Sequence, residues 1–385
     1  MRASRIYCHW EPGHKASLPL FRTGVSLHSH TFYSRECLDF IDRATAGTPW
    51  LSGAIRKQKA KYRQVKGREL DLRRAWWTPP LSARQAFDLE KNQIERVLGM
   101  GAMVSISDHD NIEAGLNLSM IEDTRESPIS IEWTVPFRRT FFHIGVHNVP
   151  RNAARDMART MNEFTAEPVE SRIPEMLEWL GAAPETLVIL NHPMWDENHI
   201  GEGAHTESVR AFLDRFRPFL HAAEVNGLRP WNENRKALKL AERYALPLVS
   251  GGDRHGREPN GCVNLTNAST FAEFAAEVRS DGWSDVLLMP QYREPLKMRI
   301  LDNMCGIIED DPHHALGWVR WSDRVFYLTD EGTNKSLTEF FQGRQFPAVI
   351  NRFVSLMQLL KHRRVRSALR MALGERPEFG FEAGV

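Results

Sequence analysis

Residues 102–115 read AMVSISDHDNIEAG. The first half is a short apolar-leaning run, long enough for a strand and too short for a helix. It stops at Asp108, His109 and Asp110, and a segment of helical character follows. A strand that ends in a polar triplet and hands over to a helix is the repeating unit of α/β folds. By itself the triplet reads equally well as a helix N-cap beside a solvated histidine.

The pattern recurs along the chain. Further strands are expected at residues 24–28, 129–134, 141–146, 187–191, 222–226 and 246–250, and the strand quoted above at 102–107. Ser82 and Gln85 form a capping box before a segment that places Phe87, Ile94 and Leu98 on one face. Residues 231–244 read as a helix, and Pro247 opens the next strand. Strands alternating with helices over this length predict a parallel α/β sheet or barrel.

Composition sets the outer bounds. The 385 residues carry 50 Lys+Arg against 49 Asp+Glu, a formal charge of +1, with 42% hydrophobic and 26% charged residues. That is the profile of a globular chain and excludes a disordered or fibrous one. The near-zero total argues against a wholly basic nucleic-acid binder, although local patches hide inside it. No apolar run reaches bilayer length, and MRASRIYCHWEPGH has no apolar signal segment, so no membrane span and no secretory leader are expected. Four cysteines without a CxxC pair give no disulfide framework and no thiolate zinc site, which makes a reducing cytoplasm the expected location.

Three regions break the rhythm. Residues 51–74 hold nine Lys/Arg and two Asp/Glu, and mark residues 36–80 as a basic insertion able to face a substrate. WDENHIGEGAHT at 195–206 reads as a loop. Residues 343–374 hold seven Lys/Arg and no acid, with Val349, Phe353, Leu356 and Leu360 as the stripe of one basic amphipathic helix.

Chemistry concentrates in histidines and acids at or just beyond the ends of the apolar runs. His28 and His30 in SLHSHT lie two apart, so on a strand both imidazoles point the same way. Glu132 stands in ISIEWT, His143 in FFHIGVH, and His192 in VILNHP. Asp253 and His255 in VSGGDRHG again share a face, after two glycines that permit close approach. Each piece alone has a bland explanation: a core histidine, an outward glutamate, a surface arginine at 254 or 257. Together, six histidines and three acids converge on one mouth if the strands form a barrel. Nitrogen and carboxylate donors without sulfur suit Zn²⁺, Mn²⁺ or Fe²⁺ in an open site.

In order and wording these motifs resemble the PHP family (polymerase and histidinol phosphatase domains). The matching pieces are HSHT at 28–31, SDHDNIEAG at 107–115, IEWT at 131–134, FHIGV at 142–146, NHP at 191–193, EVNG at 224–227 and GGDRHG at 251–256. The resemblance spans residues 22–280 and implies a distorted seven-stranded TIM-like (β/α) barrel, with residues 281–385 as a C-terminal appendage. It implies two or three divalent metal ions and phosphoester hydrolysis on a small phosphorylated substrate. By matching position, His28, His30, Glu132 and Asp253 hold a first metal, and Glu132 bridges to a second held by His143 and His192. His109 and His255 contribute to a third, and Asp108 orients a ligand. The family pattern has an Asp or His ligand where this chain has Arg35. Either Glu36 takes that place, or the third site stays empty and Arg35 turns its charge toward a substrate phosphate.

The implied reaction uses metal-activated hydroxide, with Arg254 and Arg257 as candidates for gripping phosphate. Two further readings stand beside it. The same metal site would also serve a hydrolase of amide or cyclic carbonyl bonds. The basic segments would serve a nucleic-acid-binding protein or nuclease. Trp195 and Trp231 are candidates to wall the pocket, and His147, His199 and His205 are expected on loops.

Overall fold

The structure, a computed structural model, describes residues 4–39, 41, 49–67, 69–341 and 346–373. Along these residues run β1 (Arg5–Cys8), β2 (Thr23–Leu27), β3 (Glu36–Cys37), β4 (Ala75–Trp77), β5 (Gly101–Ser105), β6 (Ile131–Phe137) and β7 (Thr140–His147). They are followed by β8 (Leu187–Leu190), β9 (Ala222–Asn226), β10 (Leu248–Gly251), β11 (Cys262–Thr266), β12 (Asp285–Leu288), β13 (Val325–Leu328) and β14 (Asn334–Ser336). All seven expected strands are present, with ends moved by three residues or fewer.

The architecture is mixed α/β. One sheet has the order β1-β12-β11-β2-β5, a second β10-β9-β8-β7-β6, and a third β14-β13-β4-β3. Pairing is not all parallel, as the strand–helix rhythm had suggested. Only Arg138 and Arg139 separate β6 from β7, far too few residues for the crossover that a parallel pair needs. The two strands therefore form a hairpin, and β7 runs antiparallel to both β6 and β8. Among the described residues the ladders do not close into one cylinder. Two isolated parallel bridges, Ser29 with Arg254 and His109 with Glu132, join the first two sheets at the strand ends.

Both faces of these sheets are apolar, as expected for strands covered on two sides. Val25 and Leu27 of β2 pack with Leu187 and Ile189 of β8, Ala222 of β9 and Val249 of β10, so the two sheets bury facing sides together. Helix Phe271–Arg279 adds Phe271, Phe274 and Val278 to that cluster. The alternate residues Val188 and Leu190 point outward, into a core with helices Ala154–Ala166, Ile173–Leu180 and Glu202–Phe216. Trp133 is fully buried there, and its indole N–H donates to the Met161 carbonyl at 3.1 Å.

Helix Ala83–Gln93 begins at the expected capping box, with Ser82 and Gln85 bonded reciprocally. The stretch 195–206 is not all loop. It turns helical at Glu202, an acid in the first turn where the helix dipole favours one. The basic C-terminal helix is two helices, Ala348–Lys361 and Arg363–Leu373, broken where His362 adopts an extended ψ of 130°. Met357 of the first is buried, whereas Leu356 is 43% exposed and so leaves the expected stripe. Within the basic insertion, Pro49–Lys66 forms a helix, and residues 40, 42–48 and 68 lie outside the described residues.

Two connections cross the boundary expected at residue 280. Strand β12 lies between β1 and β11, inside the first sheet. Strand β13 pairs with β4, so the insertion and the C-terminal region share the third sheet. Among the described residues no helix is long and apolar enough to cross a membrane.

Candidate metal centre

Glu132, the second residue of β6, is fully buried and stands among five imidazoles. Its Oε1 lies 3.0 Å from His28 Nε2, 3.2 Å from His192 Nε2 and 3.5 Å from His143 Nδ1. Its Oε2 lies 3.1 Å from His109 Nδ1 and 3.3 Å from His30 Nε2. One carboxylate thus faces two sets of nitrogen donors, the disposition of a bridge. Asp253 Oδ1 faces His30 Nε2 at 3.4 Å and His28 Nε2 at 3.7 Å. Glu36 spans the outer side, with its oxygens 3.2 Å from His255 Nε2 and 3.5 Å from His109 Nε2.

These donors fall into four overlapping groups whose ligand atoms lie within 4.8 Å of one another. They are His28, His30 and Glu132; His28, His192 and Asp253; His109, Glu132 and His143; and His30, Glu36, His109 and His255. All nine residues expected as ligands take part, although Asp253 groups with His192, and His143 with His109, which the family pattern separates. Donor separations of 3.0–3.7 Å resemble the edges of a coordination shell. Metal–ligand bonds of about 2.0–2.1 Å at tetrahedral angles put donors about 3.4 Å apart. His28 Nε2, His30 Nε2, His109 Nδ1, Glu36 Oε1 and Glu132 Oε2 are buried without a hydrogen-bond partner among the described residues. Such atoms are costly to bury unless a cation or water meets them, and an N/O donor set without sulfur fits a divalent ion.

The surroundings of His28, His30 and His255 fix which nitrogen of each ring is free. Glu224 Oε1 lies 2.7 Å from His28 Nδ1, and a carboxylate only accepts, so the proton sits on Nδ1 and Nε2 faces the cluster. Ser34 donates its hydroxyl proton to Asp108 at 3.0 Å and therefore accepts from His30 Nδ1 at 3.0 Å. His255 Nδ1 donates to the Asp253 carbonyl at 2.9 Å, leaving Nε2 for the Glu36 side. Arg229 donates to Asp253 Oδ2 at 2.8 Å, which leaves Oδ1 to the histidines.

Electrostatics follow the same layout. Burial opposes ionisation of Glu132, but His28, His143 and His109 outweigh it and hold the carboxyl well below its usual range. Burial, with His255 and His109 alongside, pushes His30 down to about 3, so its ring is neutral. Burial disfavours charge on His109, yet Glu36 and Glu132 outweigh it and raise the group to about 9.

The backbone is strained at these positions. His28, His192 and Asp253 have φ of 62°, 24° and 52°, in the left-handed region that non-glycine residues avoid. Each such residue costs roughly 1–3 kcal/mol, repaid by the packing around it, and such outliers cluster at functional sites. The glycines before Asp253 serve crowding. A Cβ on Gly251 would sit 1.4 Å from Glu224 Oε1, and one on Gly252 would sit 1.8 Å from Asn260 Oδ1.

Other expectations resolve differently. Asp108 accepts from Thr31 N–H, the Thr31 hydroxyl and Ser34, and so holds the turn after the two histidines, as an orienting residue does. Arg35 is exposed, with its guanidinium 5.3 Å from the Trp76 ring, while its neighbour Glu36 reaches the cluster. Arg254 is 3% exposed and bonded to Glu90 at 3.1 Å, and Arg257 to Asp311 at 2.8 Å, so neither guanidinium is free to grip phosphate. The buried Arg254 needs an anion, which Glu90 supplies, and the partly exposed Arg257 is drawn to Asp311. Glu132 and His143 do not occupy strand C-termini: in the β6–β7 hairpin Glu132 lies at the start of β6 and His143 in mid-ladder. His147 is buried against the Ser105 hydroxyl at 2.7 Å, and His205 is a buried helix residue bonded to the Pro193 carbonyl. Trp231 belongs to the core, whereas Trp195 lies under Arg229 at 4.0 Å. Sequence reading did not find Glu224, Ser34, Asn191 or Arg229. Glu224 in EVNG was the one with a signal, an acid amid an apolar run whose partners lie about 30 and 200 residues away.

No family model and no curated protein matches the chain. Among solved structures, PsfC from Pseudomonas syringae matches with a TM-score of 0.37 and 14% identity, over 57% of this chain and 87% of its own. An amidohydrolase from Chromobacterium violaceum, with bound sulfate and no metal, matches with a TM-score of 0.33 and 16% identity, over 46% of this chain and 84% of its own. A candidate metal-dependent phosphoesterase from Bifidobacterium adolescentis matches with a TM-score of 0.32 and 14% identity, over 52% and 91%.

Proposed function

We propose that this chain is a metal-dependent phosphoesterase acting on a small phosphorylated substrate at a centre of two or three divalent ions, zinc, manganese or iron. The observation that carries the reading is Glu132, a buried carboxylate whose two oxygens divide five imidazoles between them. The motif order that resembles the PHP family supports phosphoester over other bonds. Strands β2, β5, β6, β7, β8, β9 and β10, linked by the two bridges, are read as the seven-stranded ring around the centre. The C-terminal unit begins after β12 in this reading.

Divalent ions bound there supply Lewis acidity and lower the pKa of water toward neutrality. The chain's own residues prepare for that chemistry. Glu132 draws the two nitrogen sets together, while Glu224, Ser34 and the Asp253 carbonyl lock His28, His30 and His255 in the tautomers that present Nε2. Arg229 holds Asp253 Oδ2 at 2.8 Å, with its guanidinium over the Trp195 ring and its Nε 3.9 Å from Glu233.

The test is hydrolysis of an aryl phosphate monoester and a diester, run beside an aryl amide, with and without Mn²⁺. Metal-stimulated release from an ester is expected, falling about a hundredfold or more in His28→Ala and in Asp253→Ala. Turnover of the amide alone, or ester hydrolysis indifferent to both substitutions, would overturn the assignment.

A further inference from the structure

Three of the four residues in the group His30, Glu36, His109 and His255 are tethered to the chain beyond β12, His30 and His255 through a residue two further on and Glu36 through β4. Glu36 belongs to β3, a strand of two residues that cannot hold itself in place. It pairs with Trp77 of β4, and Trp77 pairs in turn with Val325 of β13. Thr78 N–H donates to the Arg324 carbonyl at 2.9 Å and carries the contact one residue further. Trp76 stacks on Phe326 at 5.6 Å, and the Trp77 ring leans on His255 at 5.8 Å. The second tether is Phe32, two residues after His30, whose ring lies 5.5 Å from His314 and 6.1 Å from Trp318. The third is Arg257, two residues after His255, held by Asp311 at 2.8 Å. Asp311 is itself anchored, since its N–H donates to the Val319 carbonyl and its Oδ1 accepts from His313 N–H.

We infer that the C-terminal unit is a positioning element for this one metal group, bringing Glu36 to His30, His109 and His255 where the family pattern would put a ligand on the loop itself. The other three groups draw only on residues of the first two sheets and their connecting loops. Glu36 and His255 belong to this group alone, so damage to their two tethers weakens one ion, whereas His30 is shared with a second group. The inference rests on the metal-centre reading above.

The experiment is metal content of the full chain after exhaustive dialysis, together with affinity by calorimetry, for wild type, Glu36→Gln, Phe326→Ala and Asp311→Asn. Phe326 and Asp311 touch no ligand, and they sit on separate tethers, so a folding failure in one leaves the other informative. Glu36→Gln, Phe326→Ala and Asp311→Asn are each expected to weaken the same ion at least tenfold and to leave the remaining metal at wild-type content. Combining Glu36→Gln with Phe326→Ala should lose no more than Glu36→Gln alone, because both act on one site. Phe326→Tyr, which keeps the ring on Trp76, should restore the ion. Wild-type metal content in both Phe326→Ala and Asp311→Asn, beside a loss in Glu36→Gln, overturns the inference and leaves the metal centre standing. A wild-type chain that binds no divalent ion overturns the metal centre and the inference with it.

Discussion

Glu224 fixes two candidate ligands at once: Oε1 accepts from His28 Nδ1–H at 2.7 Å, and Oε2 accepts from His192 N–H at 2.6 Å. It occupies the space that a side chain on residue 251 would need, which is why that position is glycine. Both facts lead to one expected outcome. Glu224→Gln should lower metal affinity about 10–100-fold, the usual effect of losing a partner behind a ligand. Gly251→Ala, which must push Glu224 aside, should reproduce the loss and lower the melting temperature as well. Calorimetric metal titrations of the two variants check this, and wild-type affinity in both would refute it. The candidate ligands were legible as a set, because so many histidines and acids gather at the ends of apolar runs. Glu224 was not, because its role depends on crossing to β2 and to the turn after β8.

At the scale of elements, helix Ala83–Gln93 props up the ligand loop from outside. Glu90, fully buried on that helix, bonds to Arg254 and to Asn260 N–H, and so spans the loop that carries Asp253 and His255. Burial tends to raise its pKa, and Arg254, Asn260 and Ser26 work against that rise. Glu90→Ala leaves the Arg254 charge buried without its counter-ion, a change that costs about 3–5 kcal/mol. Denaturant unfolding in chelator should show a loss of that order, while Ser82→Ala at the helix cap should cost only about 1 kcal/mol. Equal losses in the two would mean that the ion pair contributes no more than a cap. The capping box was readable because it is local, Ser82 and Gln85 being three residues apart. The Glu90–Arg254 pair spans 164 residues and has no local signature. Arg254 beside two ligands was accordingly expected to face a phosphate.

At the scale of the whole molecule, His221 couples pH to stability away from the metal centre. Val188 N–H donates to its Nδ1 at 2.9 Å, an acceptor role open only to an unprotonated nitrogen. Burial, with Arg279 nearby, pushes the ring down from 6.5 to about 4. Between those values the unfolded chain binds more protons than the folded one, so stability rises with pH there. The contribution is complete above about 6.5 and is lost progressively as pH falls toward 4. Unfolding midpoints measured in chelator from pH 7.5 to 4 should decline through this window in the wild type. The decline should be shallower in His221→Asn, whose amide oxygen still accepts from Val188. Parallel curves would refute the assignment.

The sequence by itself determined the seven strands and the order of the nine histidines and acids proposed as ligands, because strand and donor signals reside in the residues themselves. Tertiary structure decided how those pieces combine. The two-residue turn at Arg138 and Arg139 reverses β7, and the short separation dictates that reversal once β6 and β7 pair. Which donors form a group, which arginines are consumed by Glu90 and Asp311, and which chain segment delivers Glu36 are all set by contacts across tens to hundreds of residues. Hydrogen-bond satisfaction and charge compensation act between neighbours in space, and folding alone chooses those neighbours.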